Sequence, residues 1–239
     1  MSDALMIILL TTAAGACIPL GGLIASFESI RPQWLENELR HFIIAVGGGI
    51  LLGSVALVLV PEGLDSMEQS PWAVVMLLAG GVAFFLLEIR LARNQKDSPQ
   101  LMGMLLDYIP EAMALGGLLA VDSTTAVLLA LLIGLQNLPE GFNAFREMLS
   151  GPNGQAKKTL LYMLALVPIG PAAGLLGFYV LGDSANILGA IMLFASGGIL
   201  YLIFQDIAPQ SHLSKHWGPP LGAVLGFSIT MISNLLVQA

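Results

Sequence analysis

Residues 124–145 read Thr124-Thr125-Ala126-Val127-Leu128-Leu129-Ala130-Leu131-Leu132-Ile133-Gly134-Leu135-Gln136-Asn137-Leu138-Pro139-Glu140-Gly141-Phe142-Asn143-Ala144-Phe145. The stretch is long enough for one bilayer crossing, which takes about 20 mostly apolar residues. It holds no Lys or Arg, and its one charge, Glu140, lies inside it. A carboxylate at membrane depth costs about 2.5–3.5 kcal/mol on insertion scales, so a chain that keeps one there has a use for it. The segment therefore predicts both a fold class, membrane helices, and the place of a site.

Working outward, seven more apolar stretches of similar length appear, at 5–27, 42–61, 72–90, 101–120, 160–181, 186–208 and 219–237. The chain is expected to be an all-α integral membrane protein of eight transmembrane helices, forming one domain over 1–239. Composition agrees: 56% of residues are hydrophobic, 10% are charged and mean hydropathy is +0.83. A soluble domain carries about 25% charged residues. The net charge of −7 matters less than where the charges fall. All nine basic residues lie in or beside alternate loops: Arg31 and Arg40, then Arg90, Arg93 and Lys96, then Arg146, Lys157 and Lys158, then Lys215. The other loops and the N-terminal end carry Glu62, Asp65, Glu68, Asp122, Asp183 and Asp3. The positive-inside rule then places both termini outside the cytoplasm, in an inner (plasma) membrane.

With one cysteine, Cys17, no intramolecular disulfide can form. The start, Met-Ser-Asp-Ala, has no basic n-region, so a cleaved signal peptide is not expected. Paired glycines such as Gly47-Gly48-Gly49, Gly80-Gly81 and Gly116-Gly117 read as close helix packing.

The fourth stretch repeats the polar pattern of the fifth. Asp107-Tyr108-Ile109-Pro110-Glu111-Ala112 and Gln136-Asn137-Leu138-Pro139-Glu140-Gly141 share one design. In each, a polar residue and a Glu stand four apart and so share a helix face. Pro110 and Pro139 each remove one helical hydrogen bond, leaving the carbonyls of Leu106 and Leu135 without that partner. Broken helices with free carbonyls beside carboxylates are how transporters build ion sites at the midplane. Glu111 and Gln136 are expected at one depth, with Asp107 and Glu140 in a second layer nearer the cytoplasm. No Lys, Arg or His lies at that depth to pair with them, which leaves protons, water or a cation.

On these motifs the chain resembles the ZIP transporters of zinc, iron and related divalent metals. Leu59-Val60-Pro61-Glu62-Gly63 and Leu200-Tyr201-Leu202-Ile203-Phe204-Gln205-Asp206-Ile207-Ala208-Pro209-Gln210 are similar to that family's second and seventh helices. The resemblance implies eight helices, both termini outside, and a metal site between the fourth and fifth helices. Asp107, Glu111, Gln136, Asn137 and Glu140 match its positions. The family's fourth helix reads His-Asn-x-Pro-Glu-Gly and its fifth His-(Glu/Asp)-x-x-Glu. Here the histidines are replaced by Asp107 and Gln136, the Asn by Tyr108 and the second acid by Asn137, and Gly170 stands where the sixth helix usually has a Glu. An all-oxygen site suits a harder cation than zinc, because zinc favours nitrogen and sulfur.

Tyr108 is expected to line or plug the position beside the site, and Asp206 to act in gating. His212 and His216 are a candidate metal pair at the exit, with a solvated loop as the plainer expectation. Glu28, Glu88 and Glu147 stand at helix ends. The expected activity is transport of a divalent metal towards the cytoplasm, with the metal as substrate and no cofactor. Expected partners are membrane lipid and the cation, with a second copy of the chain as the protein partner allowed for, and no nucleic acid. The competing reading is a secondary transporter of a non-metal solute, using Asp107, Glu111 and Glu140 as proton carriers. An enzyme is not expected: an intramembrane aspartyl hydrolase needs two facing aspartates, and Asp107 is the only one at mid-membrane. A G-x-x-x-x-G-K-[ST] loop for ATP is missing too.

Overall fold

The computed structural model describes residues 2–27, 33–93, 99–150, 155–182, 184–214 and 216–238. Arg31, Glu28, Lys96, Asp183 and Lys215 lie outside the described residues. All extended elements among the described residues are helices: α1 (Asp3–Phe27), α2 (Gln33–Ser54), α3 (Val60–Ser66), α4 (Trp72–Arg93), α5 (Pro99–Val121), α6 (Ser123–Ser150), α7 (Ala156–Leu166), α8 (Ile169–Leu181), α9 (Ala185–Leu202), α10 (Ala208–Gln210) and α11 (Leu221–Gln238). Six helical stretches are long and apolar enough to cross a membrane: Asp3–Phe27, Asn37–Ser66, Trp72–Arg90, Ser123–Leu149, Ala156–Leu181 and Ala185–Gln210. Leu221–Leu236 is a shorter apolar helix. The outer faces are apolar: Leu78, Val82 and Leu86 on α4, Leu164 on α7 and Leu236 on α11 are all exposed. Such a surface is at home only in lipid, so the chain is a multi-pass membrane protein.

Prolines shape the helices in two different ways. Pro110 and Pro139 lie inside α5 and α6, which run on through them. The two helices are expected to kink at these prolines, and both stay continuous through them. A proline deletes one hydrogen bond, and the turns on either side hold the rest of the ladder. The larger departures lie elsewhere. Val55–Leu59 and Ile203–Ile207 are π-helical turns, closed by Val60 N–H donating to the Val55 carbonyl and Ala208 N–H to that of Ile203. Each precedes a proline, Pro61 or Pro209. A proline ring collides with the carbonyl four residues back, here Leu57 and Gln205, and both lie within the widened turns. The sixth stretch is interrupted at Val167-Pro168, between α7 and α8.

The helices pack in two groups. Helices α1, α5, α6, α7 and α8 contact one another, while α2 packs on α11 and α4 and α3 pack on α9. The groups meet where α2 lies on α6 and α9 on α5. Between α1 and α6 the backbones nearly touch. A Cβ added at Gly141 would strike the carbonyl of Ile18, and one at Gly21 the carbonyl of Leu138. We expect Gly141→Val to lower stability by about 3 kcal/mol, the upper part of the overpacking range. Its thermal melt in detergent, followed by size-exclusion chromatography, checks this. An unchanged midpoint would mean that α1 and α6 do not cross there.

Candidate functional site

Helices α5 and α6 put their polar faces together around one short hydrogen bond. Gln136 Nε2 donates to Glu111 Oε2 at 2.6 Å. Ser54 Oγ, at the end of α2, donates to Gln136 Oε1 at 3.5 Å. Ser54, Gln136 and Glu111 are each 0% exposed. This link joins α2, α6 and α5 and is fully buried. Glu111 Oε1 is buried and has no partner.

The second layer lies one turn away. Asp107 and Glu140 line a cavity of about 60 Å³, together with Asn143, Asp206 and Gln210. Neither carboxylate oxygen of Glu140 has a partner, nor does Asn143 Oδ1. A buried polar atom left unpaired costs about 1–3 kcal/mol, and more if charged. No Lys, Arg or His is among the described residues lining this cavity. Asp107 lies within electrostatic reach of both Glu111 and Glu140. The cavity is roomy enough for solvent or a cation, since a water needs about 10–15 Å³ of such space.

A second cavity, of about 300 Å³, opens at the other end of the same helices. Leu57, Val58, Glu62, Asp122, Thr124 and Thr125 line it. Asp122 caps α6: its Oδ1 accepts from Thr124 N–H at 2.9 Å and its Oδ2 from the Thr125 hydroxyl at 2.5 Å. The Thr125 hydroxyl foremost, with the backbone N–H groups helping, holds this carboxyl below its ordinary range. Along α5 and α6 the Ser54–Gln136–Glu111 link falls between the two cavities. The π turns flank them as well: Leu57 and Val58 border the larger one, Asp206 and Ile207 the smaller.

Other residues singled out from the sequence point away. Tyr108 is buried against α1 and α8, with its hydroxyl donating to the Thr11 carbonyl at 3.0 Å. A Cβ on Gly170 or Gly15 would run into that phenol, so Tyr108 fills the space that a side chain at 170 would take. Asn137 Nδ2 donates to the Ala14 carbonyl at 3.0 Å. Both residues tie α1 to the site helices and neither lines the smaller cavity. His212 is exposed, whereas His216 Nδ1 lies 3.6 Å from Glu38 Oε2, so the two histidines have different surroundings. Among the described residues, no three His, Cys, Asp or Glu side chains converge as a ready-made metal cage. The carboxylates are spread over two layers instead. Ser54 and Asn143 are additions that the motifs did not reveal. Their signal in the sequence is only that each is a polar residue inside an apolar stretch.

No family model matches the chain. Two known proteins align along nearly all of it, the zinc transporter ZupT of Salmonella arizonae and that of Salmonella heidelberg. Each is 24% identical over 263 aligned residues, covering 97% of this chain and 96% of the relative.

Proposed function

We propose that the chain is a ZIP-type transporter that carries a divalent cation through the membrane towards the cytoplasm. The observation that carries this is a set of buried carboxylates with no cationic side chain beside them among the described residues: Asp107 and Glu140 line one cavity, and Glu111 stands between it and a second cavity at the other end of the same helices. A site of this charge is costly to fold empty, and a dication cancels two of its three negative charges. Full-length similarity to two zinc transporters supports the substrate class. The oxygen-only donors favour a harder ion than zinc, such as Mn²⁺. Full engagement of both layers asks Gln136 to release Glu111 and turn its amide oxygen inward. Tyr108, which faces α1, then serves as a support of the site, while Asn137 ties to α1 through its Nδ2 group and keeps a buried Oδ1 without a hydrogen-bond partner as a donor for the cation.

The topology proposed with it adds α5 and α11 to the six apolar stretches, giving eight crossings. Both termini lie outside and the basic loops face the cytoplasm. Cysteine labelling at Ser2 and Gln238 is expected to succeed with an impermeant reagent applied from outside. Labelling from the cytoplasmic side alone would reverse the orientation.

Uptake into proteoliposomes tests the function. Purified protein is expected to admit Mn²⁺ and Zn²⁺ down their gradients without ATP. Protein that folds but admits neither ion, while binding protons at these carboxylates, would favour a proton-coupled carrier of a non-metal solute.

A further inference from the structure

We propose that Asn143 is a cation ligand: its side-chain carbonyl, with the carboxylates of Asp107 and Glu140, makes an inner oxygen site in the smaller cavity and sets the preference for hard ions. The proposal rests on the transport reading above and adds a residue to it.

Asn143 is 4% exposed, and its Oδ1 is buried with no hydrogen-bond partner. A buried amide oxygen is nearly always paired, so this one stands ready for something absent from the chain itself. It follows Glu140 by three residues, which places both on one face of α6. Both oxygens of Glu140 share the same condition. Asp107 reaches the cavity from α5. Two carboxylates and a neutral carbonyl offer a dication charge balance without a nitrogen or sulfur donor. Amide carbonyls and carboxylates are the donors that Ca²⁺, Mg²⁺ and Mn²⁺ take. Asp206 lines the same cavity. Asn143 thus stands as a stepping position between the Glu111–Gln136 link and the cavity wall built by the π turn at Ile203–Ile207.

The test uses Mn²⁺ itself. Equilibrium Mn²⁺ binding to the full-length purified protein is followed by loss of the free-ion EPR signal, and Mn²⁺ and Zn²⁺ uptake are measured in proteoliposomes. Asn143→Leu, close in volume, is expected to weaken Mn²⁺ binding and raise the uptake KM about tenfold, within the usual range for loss of a metal-site partner. Zn²⁺ uptake should change less, shifting the Mn²⁺/Zn²⁺ ratio. Asn143→Asp, which keeps an oxygen at the position, is expected to bind Mn²⁺ at least as tightly as wild type. Asn143→Ala serves if the Leu variant does not fold, with the same loss expected. Wild-type Mn²⁺ affinity and ion ratio in folded Leu or Ala variants would overturn the role of Asn143 and leave the transport reading standing. Wild-type protein that neither binds nor admits either metal would overturn both.

Discussion

Glu111→Ala and Glu140→Ala are each expected to cut metal uptake by at least about a hundredfold while the protein still folds. Taking one partner from a buried charge pair costs about 3–5 kcal/mol, and each 1.4 kcal/mol is about tenfold in affinity. Glu140 offers two oxygens that nothing in the protein occupies, so its loss removes donors and breaks no described hydrogen bond. Its alanine variant should therefore melt no lower than wild type in metal-free detergent, because an unsatisfied buried carboxylate has gone. Glu111 differs, since it anchors Gln136 at 2.6 Å. Glu111→Gln separates its two roles by keeping the shape and dropping the charge. Uptake in proteoliposomes and thermal melts give both readouts. If both alanine variants fold and transport at the native rate, the site is elsewhere.

Combining Asp107→His with Gln136→His is expected to shift competitive uptake towards Zn²⁺ over Mn²⁺ by on the order of tenfold, or about 1.4 kcal/mol. Two imidazoles restore the nitrogen donors zinc prefers, and replacing Asp107 removes one negative charge that holds hard ions. The two positions belong to different layers, since Gln136 sits in the buried link and Asp107 on the cavity wall. Each single variant should therefore give part of the shift. A neutral imidazole in place of the Gln136 amide can still donate one hydrogen bond to Glu111, so the link need not collapse. An unchanged ion ratio in a folded, active double variant would show that the cargo does not meet these two side chains.

The sequence made some of this plain for physical reasons. Asp107, Glu111, Gln136 and Glu140 stand out because charge and amide groups are rare at membrane depth, and the four-residue spacing places each pair on one face. The partners of Tyr108 and Asn137 were hidden. A soluble helix advertises its buried side by an apolar stripe, whereas away from their shared polar faces α5 and α6 are mostly apolar whether a side meets lipid or another helix. Nothing in the spelling says which side meets α1. Tyr108 and Gly170 are 62 positions apart in sequence, yet the smallness of one follows from the size of the other. Asn143 was passed over because it lies outside the Pro-Glu motif. Pro110 and Pro139 lie inside helices that continue through them, while π turns precede Pro61 and Pro209.

Those two π turns also set a phase. A π turn holds one more residue than the helix around it, and each α-helical residue turns the chain by about 100°. Every side chain downstream is thus rotated by one residue's worth relative to an uninterrupted helix. Rewinding Val55–Leu59 as ordinary α-helix, with every residue kept, would remove that offset. Pro61 and Glu62 would swing about 100° around the axis, and Glu62 would leave the wall it shares with Asp122. The same rewinding of Ile203–Ile207 would carry Gln210 off the smaller cavity. Deleting one residue from either turn would instead leave a plain helix with the downstream side chains facing as before, so the walls of both cavities depend on how two five-residue segments are wound.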